Sequence, residues 1–428
     1  MTEATDPRAR YLELFRATPP PEGPAWVREL RSGAIDRFAA RGFPSMKEED
    51  WRFTSVAAIA ETPFVPARAG HAAPAVAGLA GPGALTFVVA DGGAASAPHG
   101  VRIESLRAAL ARDPEFVRRH LGQVAHDDAS PFTALNTAFL GDGAFVHVPD
   151  GVSLEAPIEL VFVGGSHGAP TVRQPRALIV VGAGARATVV ERYVAGDGGV
   201  GWTNAVTEVE VGAAASLELY RVQQESTRGF QVATTATRQR ASSTLRLHPL
   251  AFGAALARHD IRTELAGRDA ALILNGLYVL GGRQHADHHT VIDHAAPACT
   301  SHEYFNGLLG EQAHGVFNGR IIVRPGAQRT DSKQTNNNLL LSNDARADSQ
   351  PQLEIYADDV KCTHGSTVGP LDETAVYYLR SRGLDPETAA AMLTYGFAGE
   401  ILDRMEHRGV RAACDALIRA RLGSSEAR

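Results

Sequence analysis

The sequence predicts a mainly β protein in which a parallel β-helix, or β-solenoid, lies between two helical regions. Two observations support this prediction: the change of character along the chain, and a weak internal repeat. Residues 1–145 are mixed and largely helical, residues 146–370 contain short apolar runs separated by Gly, Asn, Asp or Pro, and residues 371–428 are helical again. We therefore expect an N-terminal helical or mixed region, a β-helix core and a C-terminal helical domain.

The internal repeat consists of an apolar residue, a small-residue corner and alternating apolar positions. It begins at Val148, Val181, Val211, Leu265 and Val323. The first two spacings are about 30 residues, and the last two are about twice 27 to 29 residues, as expected of doubled turns. Repeats of this length are typical of stacked coils that bury their apolar faces on one another. The pattern therefore favours a solenoid over a sandwich.

The terminal regions carry ordinary helix signals. Trp26 to Phe38 follow helical spacing before Gly42, and a second helical stretch is expected from a cap at Ser105 to Gly122.

Three helices are expected near the C-terminus, the first capped by Asp372 and ending at Gly383, the second starting at Asp385 and Pro386. Cys414 lies on the apolar face of the third and is expected to pack. These helices carry enough apolar surface to bind a partner, and packing against each other is the alternative.

Composition limits the possible partners and compartments. The net charge of -6 argues against nucleic acid or an anionic membrane as the main partner. Three cysteines are too few for a disulfide framework, which favours a reducing compartment. The N-terminus has no apolar signal core, and no run of about 18 apolar residues occurs. A soluble cytoplasmic protein is expected.

One glycine-rich segment, "LIVVGAGARATVV", imitates a dinucleotide-binding fingerprint. That fingerprint needs a helix whose N-terminus holds the pyrophosphate, but the β-branched "ATVVERYV" follows. A solenoid corner at Gly182 to Ala187 is the better interpretation. No Gly-x-x-x-x-Gly-Lys-Ser/Thr loop occurs either, so we expect no nucleotide site and no ATPase activity in this chain.

A histidine-rich span and an amide-rich span are the next candidates. The first contains His285, His288, His289, His294, Cys299 and His302. Strand alternation points neighbouring residues to opposite faces, so His288 and His289 do not easily share a metal ion. Structural or solvent-facing histidines are favoured, with a stand-alone metal site as the alternative. Asn336 to Asn338 are expected to stack between coils.

Cys362 and His364, in "YADDVKCTHGSTVG", form the most informative pair. On a strand both side chains point the same way, so sulfur and imidazole could share one ligand sphere. A Cys nucleophile with a His base normally draws its histidine from elsewhere and needs an oxyanion hole. Metal ligation, nucleophilic catalysis and simple packing all remain open from the pattern alone.

Several long segments resemble a known family. "QTNNNLLLSNDARADSQPQLEIYADDVKCTHGSTVGPLDETAVYYLRSRG", "DHHTVIDHAAPACTSHEYFNGLL" and "FPSMKEEDWRFTSV" are similar to the SufB/SufD family of the SUF machinery for iron–sulfur cluster assembly. The resemblance covers nearly the whole chain and is most specific in residues 276–400. "ADDVKCTHG", together with the absence of the N-terminal cysteine cluster typical of SufB, favours the SufD branch.

The resemblance implies a right-handed parallel β-helix and a non-enzymatic scaffold that pairs with SufB and binds the SufC ATPase. A transient Fe-S cluster is implied at the SufB–SufD interface, where His364 matches an implicated histidine and Cys362 lies beside it. SufC is expected on the C-terminal helices, with Tyr395, Phe397 and Ile401 as the first contact residues. The family's complex also suggests a flavin, which no motif here locates.

The chemistry of the pair agrees with an interface role. Iron–sulfur clusters are usually bound by four protein ligands, so one Cys and one His amount to half a site. The main rival is a β-helix carbohydrate-active enzyme, which rests on fold analogy alone. Such an enzyme would need a cluster of carboxylate or basic residues in an exposed groove, and it would usually have a secretory signal. The sequence indicates neither.

Overall fold

The computed structural model describes residues 6–19, 23–67, 78–89, 94–141, 143–164, 168–195 and 199–425. The centre of the molecule is a parallel β-solenoid, in which the chain passes alternately through two sheets. The predicted fold class is thereby confirmed.

In the described part of the chain, sheet A has twelve strands and sheet B has nine. Sheet A contains β1 (Val65–Pro66), β3 (Ala94–Ala95), β4 (Arg102–Ser105), β5 (Gly143–Val148), β7 (Thr171–Arg173), β8 (Arg176–Val181), β10 (Gly201–Val211), β12 (Phe230–Gln239), β14 (Leu256–Leu265), β16 (His285–His294), β18 (His314–Val323) and β20 (Arg346–Ile355). Sheet B contains β2 (Leu85–Val88), β6 (Ile158–Gly164), β9 (Arg186–Ala195), β11 (Ser216–Gln224), β13 (Thr244–Ala251), β15 (Ala271–Leu280), β17 (Thr300–Leu309), β19 (Thr330–Leu340) and β21 (Val360–Gly369).

The predicted repeat positions lie in one register row of sheet A. Val148 pairs with Val181, and Val181 pairs with Val211. Gln239 and His294 occupy the intermediate coils that the doubled spacings predict, so the row continues to Leu265, Val323 and Ile355. The glycine-rich segment is also a corner as expected, because β9 and not a helix follows it.

Helices of the N-terminal region pack beside the first coils. They are α1 (Pro7–Ala17), α2 (Ala25–Arg41), α3 (Ala57–Glu61), α4 (Leu106–Arg112), α5 (Pro114–His120) and α6 (Pro131–Ala138), with a 3-10 helix at Glu49–Trp51. The helix α2 is confirmed. The helical stretch predicted from the cap at Ser105 is confirmed, but it is divided in two: Asp113 ends α4, and its carboxylate caps α5, 3.0 Å from the Phe116 N–H. Pro114 favours this restart, since it fits the first position of a helix and donates no hydrogen bond.

The N-terminal region also adds strands to the solenoid. The strand β4 pairs antiparallel with β5, and β2 pairs with β6, so the first coil has neighbours on its outer side in both sheets. These strands precede residue 146, and the exact domain boundaries remain a prediction.

The segment 43–56, which carries the family-like N-terminal motif, is held on the outer face of sheet A. The Arg258 guanidinium carbon lies 3.7 Å from the ring centroid of Trp51. Its nitrogens contact Asp260 at 2.8 Å and Asp287 at 2.7 Å. Thr54 donates to Asp287 at 2.5 Å. Buried charges are tolerated when they are paired in this way.

The C-terminal helices are α7 (Glu373–Ser381), α8 (Pro386–Leu402) and α9 (Arg408–Ser425). Asp372 and Asp385 cap α7 and α8 as predicted, through the N–H groups of Thr374 and Thr388. One side of α8 and α9 packs on the outer face of sheet B, in a cluster that includes Cys414. The packing role of Cys414 is confirmed, and burial raises the pKa of its thiol to about 12.

Among the helices that the structure describes, none has the length and apolarity needed to cross a membrane.

Candidate functional site

The last coil of the solenoid forms an open end. Among the described residues, β20 has a strand neighbour only in β18, and β21 only in β19. Apolar side chains next to these edges are exposed, including Tyr356 at 60% and Val368 at 48%. Unpaired strand edges invite strand addition, and natural proteins usually cover them. The open end is therefore the part of the solenoid best suited to receive another β-structure.

Cys362 and His364 both lie on this last strand, as their spacing predicts. Cys362 is in register with Ser332, and His364 is in register with Gln334. Ser332 and Gln334 are buried, so the two β21 side chains continue rows that point into the solenoid. Cys362 is half-buried against the interior core, whereas His364 is exposed because no further coil covers it.

The interior rows that end at these two residues change chemistry along the solenoid. Both are apolar in the middle coils and polar in the last three. The first row is Leu217, Leu245, Leu272, Ser301, Ser332 and Cys362, and the second is Leu219, Leu247, Leu274, Glu303, Gln334 and His364. Because buried polar groups cost free energy unless they are hydrogen-bonded, their partners decide what this end can do.

Each polar row contains a hydrogen-bond chain. The Ser301 hydroxyl lies 2.9 Å from His294 Nε2 and 2.7 Å from the Ser332 hydroxyl. In the other row Gln334 Nε2 donates to Glu303 Oε2 at 2.6 Å. Burial raises the pKa of Glu303 to about 7 and lowers the pKa of His294 to about 4. His294 is therefore neutral at neutral pH, while Glu303 exists in both protonation states there.

Sequence reasoning missed Ser301, Glu303, Ser332 and Gln334 as parts of the site. No short motif contains them, because each is separated from Cys362 or His364 by one or two complete coils. The internal repeat could have indicated these rows, if the polar residues at equivalent positions of successive repeats had been compared in the same way as the apolar residues.

The electrostatics of Cys362 argue against nucleophilic catalysis. Burial, with a smaller contribution from the Asp331 carboxylate, raises the pKa of the Cys362 thiol. The thiol is therefore protonated at neutral pH, whereas reactive cysteines have lowered pKa values. Among the described residues no group of three or more His, Cys, Asp or Glu side chains could hold a metal ion.

The histidine-rich span lies on β16 and β17, and its members face different surroundings. His288 points into the solenoid, where its ring stacks on Tyr278 with centroids 5.1 Å apart. His289 points outward and lies 3.0 Å from Asp287. The predicted separation of the two neighbours is confirmed. Burial lowers the pKa of His288 to about 4, in agreement with a neutral packed ring.

The asparagine run serves packing, as expected. Asn336 and Asn338 are buried, and Asn338 Nδ2 donates to Asn336 Oδ1 at 2.8 Å. Both side chains also bond the Tyr278 hydroxyl. Asn337 lies on the other side of β19, where its amide bonds the Tyr304 hydroxyl at 3.1 Å.

The residues expected to contact an ATPase lie largely within the chain's own packing. Ile401 is fully buried in the cluster between α8 and sheet B. Phe397 packs against the same cluster, and Tyr395 donates to Asp415 of α9. The helix α7 has no buried residue and exposes Tyr377 at 72%.

The fold and the site together define a β-solenoid with neighbouring strands beside its first coil and an open last coil, where Cys362 and His364 lie. Comparison with known families gives the assignment. Residues 162–397 match the family model described as "SUF system FeS cluster assembly, SufBD core domain", and residues 86–160 match "SufBD protein N-terminal region". The chain belongs to the SufBD family.

Individual relatives agree with this assignment. A SufBD family protein of Synechocystis sp., named for iron-sulfur cluster assembly, is 33% identical over 88% of this chain and 86% of its own length. The iron-sulfur cluster assembly protein SufD of Escherichia coli is 35% identical over 56% of each chain. SufD of Bacillus subtilis is 29% identical over 66% of this chain and 65% of its own. The carbohydrate-active alternative receives no support.

Proposed function

We propose that this chain is a SufD-type scaffold subunit of iron–sulfur cluster assembly, without a catalytic step of its own. It pairs with a SufB paralogue through the open end of its solenoid. The observation that carries the proposal is the last coil. Its strands β20 and β21 each have an edge that is unpaired among the described residues, and β21 carries Cys362 and His364. A homologous solenoid has matching edges, so its strands can add to both sheets at once.

His364 is the principal ligand that this subunit contributes to a transient cluster, which is cargo and not a resident cofactor. Its imidazole is exposed at the open end, and imidazole is a suitable ligand for iron. Cys362 has a secondary role, because the pKa of its half-buried thiol is raised and the thiol must lose a proton before the sulfur can ligate iron. The remaining ligands come from the paralogue, since clusters usually take four.

Reconstitution of the complex with SufB and SufC tests this role. His364→Ala should lower the yield of cluster absorbance under anaerobic conditions at least about tenfold, and Cys362→Ala should lower it less. His302→Ala, at an exposed position of β17, is the matched control and should leave the yield unchanged. A normal yield from His364→Ala, in a complex of intact stoichiometry, would refute the ligand role.

The C-terminal helices dock the SufC ATPase. Large exposed side chains on these helices support this, because such exposure is typical of binding surfaces: Tyr377 and Tyr378 on α7 and Met392 on α8. Tyr395 and Phe397 of α8 are only partly buried, so they can also contact SufC. Ile401 reaches SufC only if α8 leaves sheet B.

Point variants test the docking better than truncation, which would uncover sheet B. Tyr377→Ala with Tyr378→Ala should weaken SufC binding by about tenfold or more, measured by titration calorimetry. Leu384→Ala, in the loop after α7, serves as the control for a general change of this region. Undiminished binding by the double tyrosine variant would contradict the proposed surface.

A further inference from the structure

Gln334 has a buried hydrogen-bond acceptor without a partner. Its side chain is 1% exposed, and its Nε2 atom donates to Glu303 Oε2 at 2.6 Å. Its Oε1 atom is also buried and has no hydrogen-bond partner among the described residues. Nearly all buried polar atoms in folded proteins are bonded, so an unpaired amide oxygen beside an open site requires an explanation.

Two neighbours hold the Gln334 amide in one orientation. The Glu303 carboxyl oxygen accepts from Nε2, so the amide N–H group faces Glu303 and the amide oxygen faces elsewhere. Gly319 leaves space for the amide, since a Cβ atom there would lie 2.1 Å from Gln334 Nε2. In this orientation the Gln334 Oε1 atom has no partner among the described residues.

His364 is the next residue in that row. It pairs with Gln334 across β19 and β21, and both side chains lie on the interior side. Neighbouring strands are about 4.8 Å apart, which brings an imidazole within reach of the amide by side-chain rotation. Within the described ranges the His364 ring makes no hydrogen bond, and its exposure leaves it free to rotate.

We propose that Gln334 is a positioning residue for His364: its Oε1 atom accepts a hydrogen bond from one ring N–H, and Glu303 holds the amide in place. The other ring nitrogen is then unprotonated and points out of the open end, where it can ligate iron. Ligating histidines almost always donate their second ring N–H to such an acceptor. The ligand part of this inference rests on the proposed function, whereas the hydrogen bond does not.

Nuclear magnetic resonance of the full chain with ¹⁵N-labelled histidine rings tests the hydrogen bond. The His364 ring signal is assigned by its loss in His364→Gln. Its ring N–H should exchange with water about tenfold more slowly in the wild type than in Gln334→Met, which keeps the length of the side chain but cannot accept. Gln352→Met is the matched control and should leave the exchange unchanged. Gln352 lies on the outward side of β20, in the same coil as His364.

Substitutions of Glu303 separate orientation from packing. Glu303→Gln keeps an acceptor for Gln334 Nε2 and should retain the slow exchange. Glu303→Met removes that acceptor, so the slow exchange of the His364 ring N–H should be lost. Circular dichroism should show that this variant is still folded. Equal exchange rates in the wild type and Gln334→Met would overturn the proposal, and slow exchange in Glu303→Met would overturn the part assigned to Glu303.

Cluster yield distinguishes this inference from the proposed function. In the reconstituted complex, Gln334→Met should lower the yield of cluster while the subunit stoichiometry stays intact, and Gln352→Met should not. If the ring N–H is protected as expected but His364→Ala gives a full yield, then the hydrogen bond stands and the ligand role fails. If His364→Ala abolishes the yield but protection is absent, then the function stands and Gln334 does not position the ring.

Discussion

Replacing Glu303 by glutamine should change how the stability of the chain depends on pH. Glu303 is buried among the interior rows, and burial raises its pKa from 4.5 to about 7. The folded state therefore binds more protons than the unfolded state between these two pH values. The stability that this group contributes is fully present below about pH 4.5 and is lost as the pH rises through about 7.

The size of the effect follows from the shift in pKa. A difference of about 2.5 pKa units corresponds to about 3 kcal/mol, at 1.36 kcal/mol per unit. Most of this, about 2 to 3 kcal/mol, is lost between about pH 5 and about pH 8. Glu303→Gln has no charge to bury, so its free energy of unfolding should rise relative to the wild type by that amount over the same interval.

Urea unfolding followed by far-ultraviolet circular dichroism at several pH values measures the difference. The comparison of wild type and variant at each pH cancels the contributions of all other titrating groups. Glu354→Gln, on the outward side of β20, controls for the removal of one negative charge. If the difference between wild type and Glu303→Gln stays constant with pH, then folding does not raise the pKa of Glu303 and the reasoning fails.

Three further predictions concern packing and surfaces. Arg258→Met should destabilise the chain by about 4 kcal/mol in urea unfolding, because it removes the guanidinium that pairs with the buried carboxylates of Asp260 and Asp287. Arg238→Met, at a partly exposed pair, should cost less than about 1 kcal/mol. Ile401→Ala should cost about 3 kcal/mol in the isolated chain through loss of buried contacts, and a loss of SufC binding without this cost would place Ile401 at the interface. Val368→Lys should leave the melting temperature of the isolated chain unchanged but reduce pairing with SufB in size-exclusion chromatography, and undiminished pairing would remove the open end from the interface.

The sequence by itself determined the features that depend on near neighbours. The repeat from Val148 to Val323 could be seen because each coil has the same order of apolar residue, corner and strand. The caps at Asp372 and Asp385 are local signals, and the shared side of Cys362 and His364 follows from strand alternation. Even so, the local break at Pro114 was missed, because the apolar spacing continues through it.

The tertiary structure alone decided which residues surround the site. Glu303, Gln334 and His364 become neighbours only through the register of three parallel strands. The coils differ in length, so the partner of a residue cannot be found by counting a constant interval along the chain. The same holds for Ile401 of α8, which is buried, and Tyr377 of α7, which is exposed. Burial depends on which helix face meets sheet B, and that contact joins segments that are far apart in the sequence.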